Sequence, residues 1–245
     1  MFLYKTIEMR PLNNPTRTAV WRMFNRIAGR YDLLNRLLSF GCDIYWRKKL
    51  ARYIPRKTDC VILDAATGTA DVLLTAITEC ECIKYAVGID RAGNMLKIGR
   101  EKLRKKSKSH SVLLFPADAA AIPFAAYRFD VVTIAFGIRN VENVETALRE
   151  IHRVLKNGGR LLILEFSLPH NSLIKKAYLC YFRYVLPFVG RVISGDRYAY
   201  QYLNETVESF PYGEHFCLLL RNCGFSKITA FPLTFGIVTL YCADK

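Results

Sequence analysis

Three aspartates, Asp64, Asp90 and Asp118, stand at or just beyond the ends of short aliphatic and β-branched runs: Cys60 to Leu63, Tyr85 to Ile89 and Val112 to Phe115. A carboxylate at such a strand end can accept both hydroxyls of a ribose, the role expected of Asp90. Asp118, next to the backbone amide of Ala119, can accept from an exocyclic amine. The first loop, LDAATGTAD from Leu63 to Asp71, carries small residues from Ala65 to Ala70. Its backbone can therefore approach a ligand closely, and it leads into a helix whose first N–H groups have no intrahelical partner. A dinucleotide-binding fingerprint needs three spaced glycines, whereas this loop has Gly68 alone. With Asp64 and Asp71 at its ends it suits a cation better than a pyrophosphate. Taken singly, each aspartate also reads as a helix N-cap. As an ordered set across three strands they describe a ribose, an adenine and a positive charge, which fits S-adenosylmethionine better than NAD.

These residues need a frame. From residue 58 to 166 the apolar runs alternate with helical patterns, the signature of a βαβ sheet. Phe129 to Ala135 and Arg160 to Phe166 are nearly continuous apolar runs, as expected of strands covered on both faces. Between them Val144, Ala147, Leu148, Ile151, Val154 and Leu155 recur at helical spacing, and Asn157-Gly158-Gly159 is expected to end that helix. Residues 15 to 53 read as helices broken at Ser39-Phe40-Gly41. Residues 172 to 193 read as another, with Tyr178, Tyr181 and Phe182 on one side and Pro187 and Gly190 ending it. Two β-rich runs between Lys227 and Cys242, separated by Pro232-Leu233-Thr234, should close the sheet as an antiparallel edge. The fold class is α/β: a doubly wound, mostly parallel Rossmann-like sheet.

The 245 residues carry 36 Lys and Arg against 21 Asp and Glu, a net +15, with 51% hydrophobic residues, so the chain can bury one large core and is not globally disordered. From Arg10 to Lys57 there are twelve basic residues and two acidic ones, and Lys97 to Lys108 holds seven basic and one acidic. The second cluster reads as a solvated helix end, and a membrane surface explains the N-terminal excess better than nucleic acid, because no nucleic-acid module is visible. No charge-free stretch reaches the roughly 20 residues of a membrane span, and Lys5, Glu8 and Arg10 interrupt any secretory leader. A cytoplasmic protein is expected, peripheral at most to the inner membrane face. The eight cysteines, with only Cys80 and Cys82 close together, fit neither zinc nor a disulfide framework and are expected as buried thiols and a few surface ones.

The set YDLLNRLLSF (Tyr31 to Phe40), LDAATGTAD, GIDRAGNMLKIGREKL, ADAAAIPF, FDVVTIAFGIRNV, LREIHRVLKNGGRLLILEFS and YLNETVESFP resembles the ubiquinone/menaquinone-biosynthesis C-methyltransferases from about residue 20 onward. The resemblance implies a class I methyltransferase fold, with residues 1–57 as a helical lid within the same domain as residues 58–245 and an inserted helical segment at about 170–210. It implies methylation of a ring carbon of a polyprenyl quinol, demethylmenaquinol first, with a benzoquinol or both as the alternative. It puts Gly68 and Thr69 against the methionine part of the cofactor, Asp90 against the ribose, and Asp118 with Ala119 against the adenine. Ala135 lines the site, Arg139-Asn140 matches the catalytic loop and Tyr31 the lid. Ala66 and Ala70 depart from glycines, and Asp43-Ile44 stands where the family shows His-Arg.

An arginine stays charged at any ordinary pH, so Arg139 is expected to stabilise the quinolate oxygen or hold a water that carries its proton away. Asn140 would fix that water or a ring oxygen, and Tyr31 would exclude bulk water. A salt bridge from Arg139 to Glu142 or Glu145 is the structural alternative, and His170 is a reserve base. The basic helices and the aromatic segment Tyr181 to Val189 would rest on the membrane and admit the polyprenyl tail. No metal and no nucleic acid is expected, and a homodimer is left open. A methyltransferase of RNA or another lipid is a more distant reading. A non-enzymatic scaffold would predict loss of Asp64, Asp90 and Asp118, and all three are present.

Overall fold

The computed structural model describes residues 20–106, 112–186 and 197–245. Residues 15–19, Ser107, Lys108, Pro187 and Gly190, on which some of the expectations above fall, lie outside them. Helices α1 (Val20–Leu38) and α2 (Cys42–Ala51) are separated at the expected break, where Phe40 and Gly41 take φ of 50° and 77°. The alternating region follows as β1 (Cys60–Ala65), α3 (Asp71–Glu79), β2 (Ile83–Asp90), α4 (Gly93–Lys105), β3 (Val112–Pro116), β4 (Phe129–Ala135), a short 3₁₀ turn at Ile138–Asn140, α5 (Val144–Val154) and β5 (Leu155–Phe166). Helix α6 (Ser172–Cys180) widens into a π-helical turn at Tyr181–Val185. Then come α7 (Arg197–Ser209), α8 (Glu214–Asn222), β6 (Ser226–Leu233) and β7 (Val238–Asp244).

The seven strands form one sheet in the order β3-β2-β1-β4-β5-β7-β6. The first five are parallel, and β7 runs antiparallel between β5 and β6. The strand pair at the end of the chain thus closes the sheet as expected, and Pro232 is tolerated because β6 is an edge. Leu161 to Leu164 in β5 have no exposed surface, which is why that strand reads as continuously apolar. One face is covered by α5 and α8, through Leu148, Ile151, Phe216 and Leu220; the other by α2, α3 and α4, through Leu50, Leu73 and Leu96. A third apolar cluster joins α1 (Met23, Ile27, Leu34) to α6 and its π turn (Tyr178, Phe182) and to α7 (Tyr202, Val207).

Local chemistry sets the boundaries. Asn143 caps α5 by accepting from the Thr146 amide at 2.9 Å, and Asn171 caps α6 by accepting from Leu173 and Ile174. The end of α5 differs from expectation. Leu155 is already extended (φ −67°, ψ 139°) and opens β5, so Asn157-Gly158-Gly159 forms an irregularity within the strand, with Gly158 at φ 71°. The cysteines also depart from expectation. Cys80 and Cys82 are bonded, because the turn from α3 into β2 brings their Cα atoms to 5.3 Å, within disulfide reach, while the other six are free. Among the described residues no helix is long and apolar enough to cross a membrane, and no group of three or more His, Cys, Asp or Glu could hold a metal.

Candidate active site

The neighbours of β1 are β2 on one side and β4 on the other, so the chain reverses direction across the sheet there, and ligands bind outside the carboxyl ends of strands at such a switch point. Two cavities open at that edge. The smaller, about 100 Å³, is lined by Gly68, Asp90, Asp118, Ala119 and Ala135 among others. Asp90 accepts from the Gly68 amide at 2.8 Å and the Ala92 amide at 2.7 Å, which ties the first loop to the end of β2. Burial raises the Asp90 pKa against the opposing effect of those amides. Asp118 accepts from the Ala120 amide at 2.9 Å and faces Arg91 at 3.2 Å.

Two expected cofactor residues do not reach this cavity. Asp64 is 1% exposed beneath the loop, where it accepts from the Thr133 hydroxyl at 2.6 Å and its Oδ2 has no hydrogen-bond partner. Burial pushes its pKa up to about 7. Thr69 is buried as well, and its hydroxyl donates to Asp32 of α1 at 2.6 Å. In the same loop Ala66 and Ala70 take φ of 53° and 64°, a conformation that favours glycine.

The larger cavity, about 390 Å³, lies between α1, α2, α6 and α7 and is walled mostly by carbon. Phe24, Tyr31, Phe136 and Asn140 line both cavities. Arg139 lines the larger one and is 5% exposed. Its partner is Glu165 at 2.5 Å, not Glu142 or Glu145, and the Phe136 carbonyl takes a second bond at 2.8 Å. The 3₁₀ turn aims Arg139 back across the sheet to β5, away from Glu142 in the following loop and from α5, which carries Glu145. Its guanidinium lies 5.1 Å from the Phe166 ring centroid. Asn140 donates to the Phe136 carbonyl and accepts from the Tyr202 hydroxyl, both at 3.2 Å. Burial raises the Tyr31 phenol while a hydrogen bond with Asn35 and the charge of Arg139 oppose the shift, so the phenol keeps its proton. His170 is exposed and outside both cavities, and His152 packs edge-on against Phe225.

Sequence reasoning missed Glu165, whose signal was a lone carboxylate inside an apolar strand, and an ion chain that fastens α1 and α2 to the cofactor loop. Asp43, 3% exposed, lies between Arg36 at 3.3 Å and Arg47 and also lines the larger cavity. Arg47 reaches Asp71 at 3.4 Å, and Lys102 of α4 joins Asp71 to Asp32, each at 2.6 Å.

Comparison with known proteins bears on the family and the fold. The family model described as the ubiE/COQ5 methyltransferase family matches residues 12–245. A demethylmenaquinone methyltransferase of Bacteroides fragilis is 38% identical over 99% of this chain and 99% of its own. A protein of Syntrophotalea carbinolica named ubiquinone/menaquinone biosynthesis C-methyltransferase UbiE is 47% identical over 89% of this chain and 91% of its own. Among solved structures, a SAM-dependent methyltransferase of Thermotoga maritima superposes with a TM-score of 0.64 at 16% identity, covering 92% of this chain and 99% of that one. This likeness establishes the class I methyltransferase fold.

Proposed function

The chain belongs to the ubiE/COQ5 methyltransferase family, and on that premise we propose that it transfers a methyl group from S-adenosylmethionine to a ring carbon of a polyprenyl quinol, demethylmenaquinol foremost. The observation that carries the reading is the junction of the two cavities: a small polar one at the strand ends meets a large apolar one across Phe24, Tyr31, Phe136 and Asn140. A ring at that junction has its lipid tail in carbon surroundings and its reacting edge toward the cofactor.

The residues of the smaller cavity fit the donor. Asp90 would accept the ribose hydroxyls, and Asp118 with Ala119 would hold the adenine. Gly68 would back the methionine part and Ala135 leaves room, while Thr69 and Asp64, buried beneath the loop and outside the cavity, would support it from below. When bound, S-adenosylmethionine supplies an electrophilic methyl group on a sulfonium. The chain itself aligns and polarises. Holding the ring in near-attack geometry supplies several kcal/mol. Arg139, fixed by Glu165, stabilises the quinolate oxygen or holds the water that takes its proton, Asn140 orients that water or a ring oxygen, and Tyr31 closes over the ring and excludes solvent.

Residues of one chain line both cavities, so the reading needs no second copy. Phe40 and Phe235, 82% and 77% exposed, together with the exposed Leu173 and Tyr184, would rest on a membrane surface and admit the tail. A benzoquinol substrate is the second reading, supported by the Syntrophotalea relative, whose name covers both ubiquinone and menaquinone biosynthesis. The test is transfer of labelled methyl from S-adenosylmethionine to reduced demethylmenaquinone and, in parallel, to a reduced benzoquinol precursor, with Asp90→Ala as control. Label on the naphthoquinol is expected; label on neither, with cofactor binding intact, rejects the quinol reading.

A further inference from the structure

In the larger cavity most polar side chains are already satisfied by the protein. The Tyr181 hydroxyl donates to the Leu38 carbonyl at 3.0 Å, Tyr202 donates to Asn140 at 3.2 Å, Trp46 Nε1 donates to Thr234 at 2.8 Å, and Ser39 donates to Asp43 at 3.1 Å. Two atoms are exceptions: Arg139 Nε and the Tyr178 hydroxyl are buried with no hydrogen-bond partner. A buried polar group left unpaired costs about 1–3 kcal/mol. Tyr178, on α6, is 7% exposed, and its ring packs at 4.9 Å against Phe182, so the hydroxyl cannot swing out to solvent without losing that contact.

Both orphans belong to residues that line this one cavity. The charges of Arg139 and Glu165 both act on the Tyr178 phenol, Arg139 lowering its pKa and Glu165 raising it, and burial outweighs both and drives it upward. The phenol is therefore a proton donor at every working pH. Arg139 Nη1 is already committed to Glu165 and to the Phe136 carbonyl, which leaves the Nε–H as an unused donor of that guanidinium. A phenol O–H and a guanidinium N–H in a carbon-walled cavity match one ligand oxygen that carries negative charge.

We infer that Tyr178 and the Nε edge of Arg139 form a two-donor subsite for one oxygen of the quinol ring, the oxygen on which charge gathers as the ring carbon is methylated. The inference rests on the quinol reading above. Tyr178 keeps its proton throughout; it donates a hydrogen bond and takes no part in proton removal. The subsite also explains why a tyrosine stands on the apolar face of α6 where a phenylalanine would pack as well.

The test compares Tyr178→Phe with the unaltered protein in methyl transfer to reduced demethylmenaquinone, alongside thermal unfolding without ligands. The variant should melt no lower than the parent, because the lost hydroxyl has no partner in the protein. Its KM for S-adenosylmethionine should be unchanged, and its kcat/KM for the quinol should fall about 10- to 100-fold, as for one hydrogen bond to a charged oxygen. A variant within twofold of the parent, or one that loses stability, overturns the subsite while leaving the quinol reading standing. A parent that methylates no quinol overturns that reading, and the subsite with it.

Discussion

Replacing Glu165 by Gln removes one charge from a pair sealed inside the protein. The Glu165 and Arg139 side chains are 1% and 6% exposed, and the carboxylate also accepts from the Phe166 amide at 2.8 Å and the Arg139 amide at 3.4 Å. Glutamine preserves the shape and one acceptor oxygen but strands a guanidinium in low-dielectric surroundings. Breaking a buried pair in this way costs about 3–5 kcal/mol. At about 2–4 °C per kcal/mol for a chain of this size, the melting temperature should drop by roughly 6–20 °C. The internal control is Glu145→Gln, whose Arg149 partner lies 4.0 Å away with both side chains more than half exposed; that change should cost about 0.5 kcal/mol or less. The double change Glu165→Leu with Arg139→Met leaves no charge unpaired and should recover much of the loss. Thermal unfolding by circular dichroism without ligand reads all four proteins. If Glu165→Gln unfolds within about 1 kcal/mol of the parent, or the double change is as damaging as the single one, the pair is not sealed as described.

Asp64 has its pKa raised by burial to about 7, so between pH 4 and 7 the folded protein holds a proton that the unfolded chain releases. Stability should therefore fall as pH rises through that window and level off above it, and Asp64→Asn should abolish the slope and gain on the parent from pH 5 to pH 8 in urea titrations. Ala66→Gly and Ala70→Gly each relieve an alanine held at positive φ, so each should raise unfolding stability by about 0.5–1 kcal/mol after the extra freedom of glycine is subtracted. Asp90→Asn should weaken S-adenosylmethionine binding about 10- to 100-fold by calorimetry; an unchanged affinity would remove Asp90 from the ribose site.

The strands, the switch point and the strand-end aspartates could be read from the chain because a parallel sheet writes itself as apolar runs punctuated by carboxylates. Gly68, Asp90, Asp118, Ala119 and Ala135 gather around one cavity because each ends or follows a strand whose end the sheet fixes. Asp64 could not be judged that way: being the last polar residue of β1 does not say whether it faces the loop above or the core below. The partner of Arg139 was hidden for a different reason. Glu142 and Glu145 are its neighbours in sequence, whereas Glu165 is its neighbour across adjacent parallel strands, a relation set by register and not by spacing. Leu155 was read into α5 because it fits the helical period, and only the pairing of β5 with Phe129 shows where the helix yields.

Because α1 walls the donor cavity with Trp21 and Phe24 and the acceptor cavity with Met23 and Ile27, the two seats share one wall. Any displacement of that helix would unwall both seats at once and break the Asp32 contacts to Thr69 and Lys102. Occupancy of one seat, by holding that helix in place, should therefore tighten the other, so the two reactants should bind cooperatively in calorimetry. High salt, which weakens the half-exposed links of that clasp, should speed product departure and loosen the grip on both reactants together.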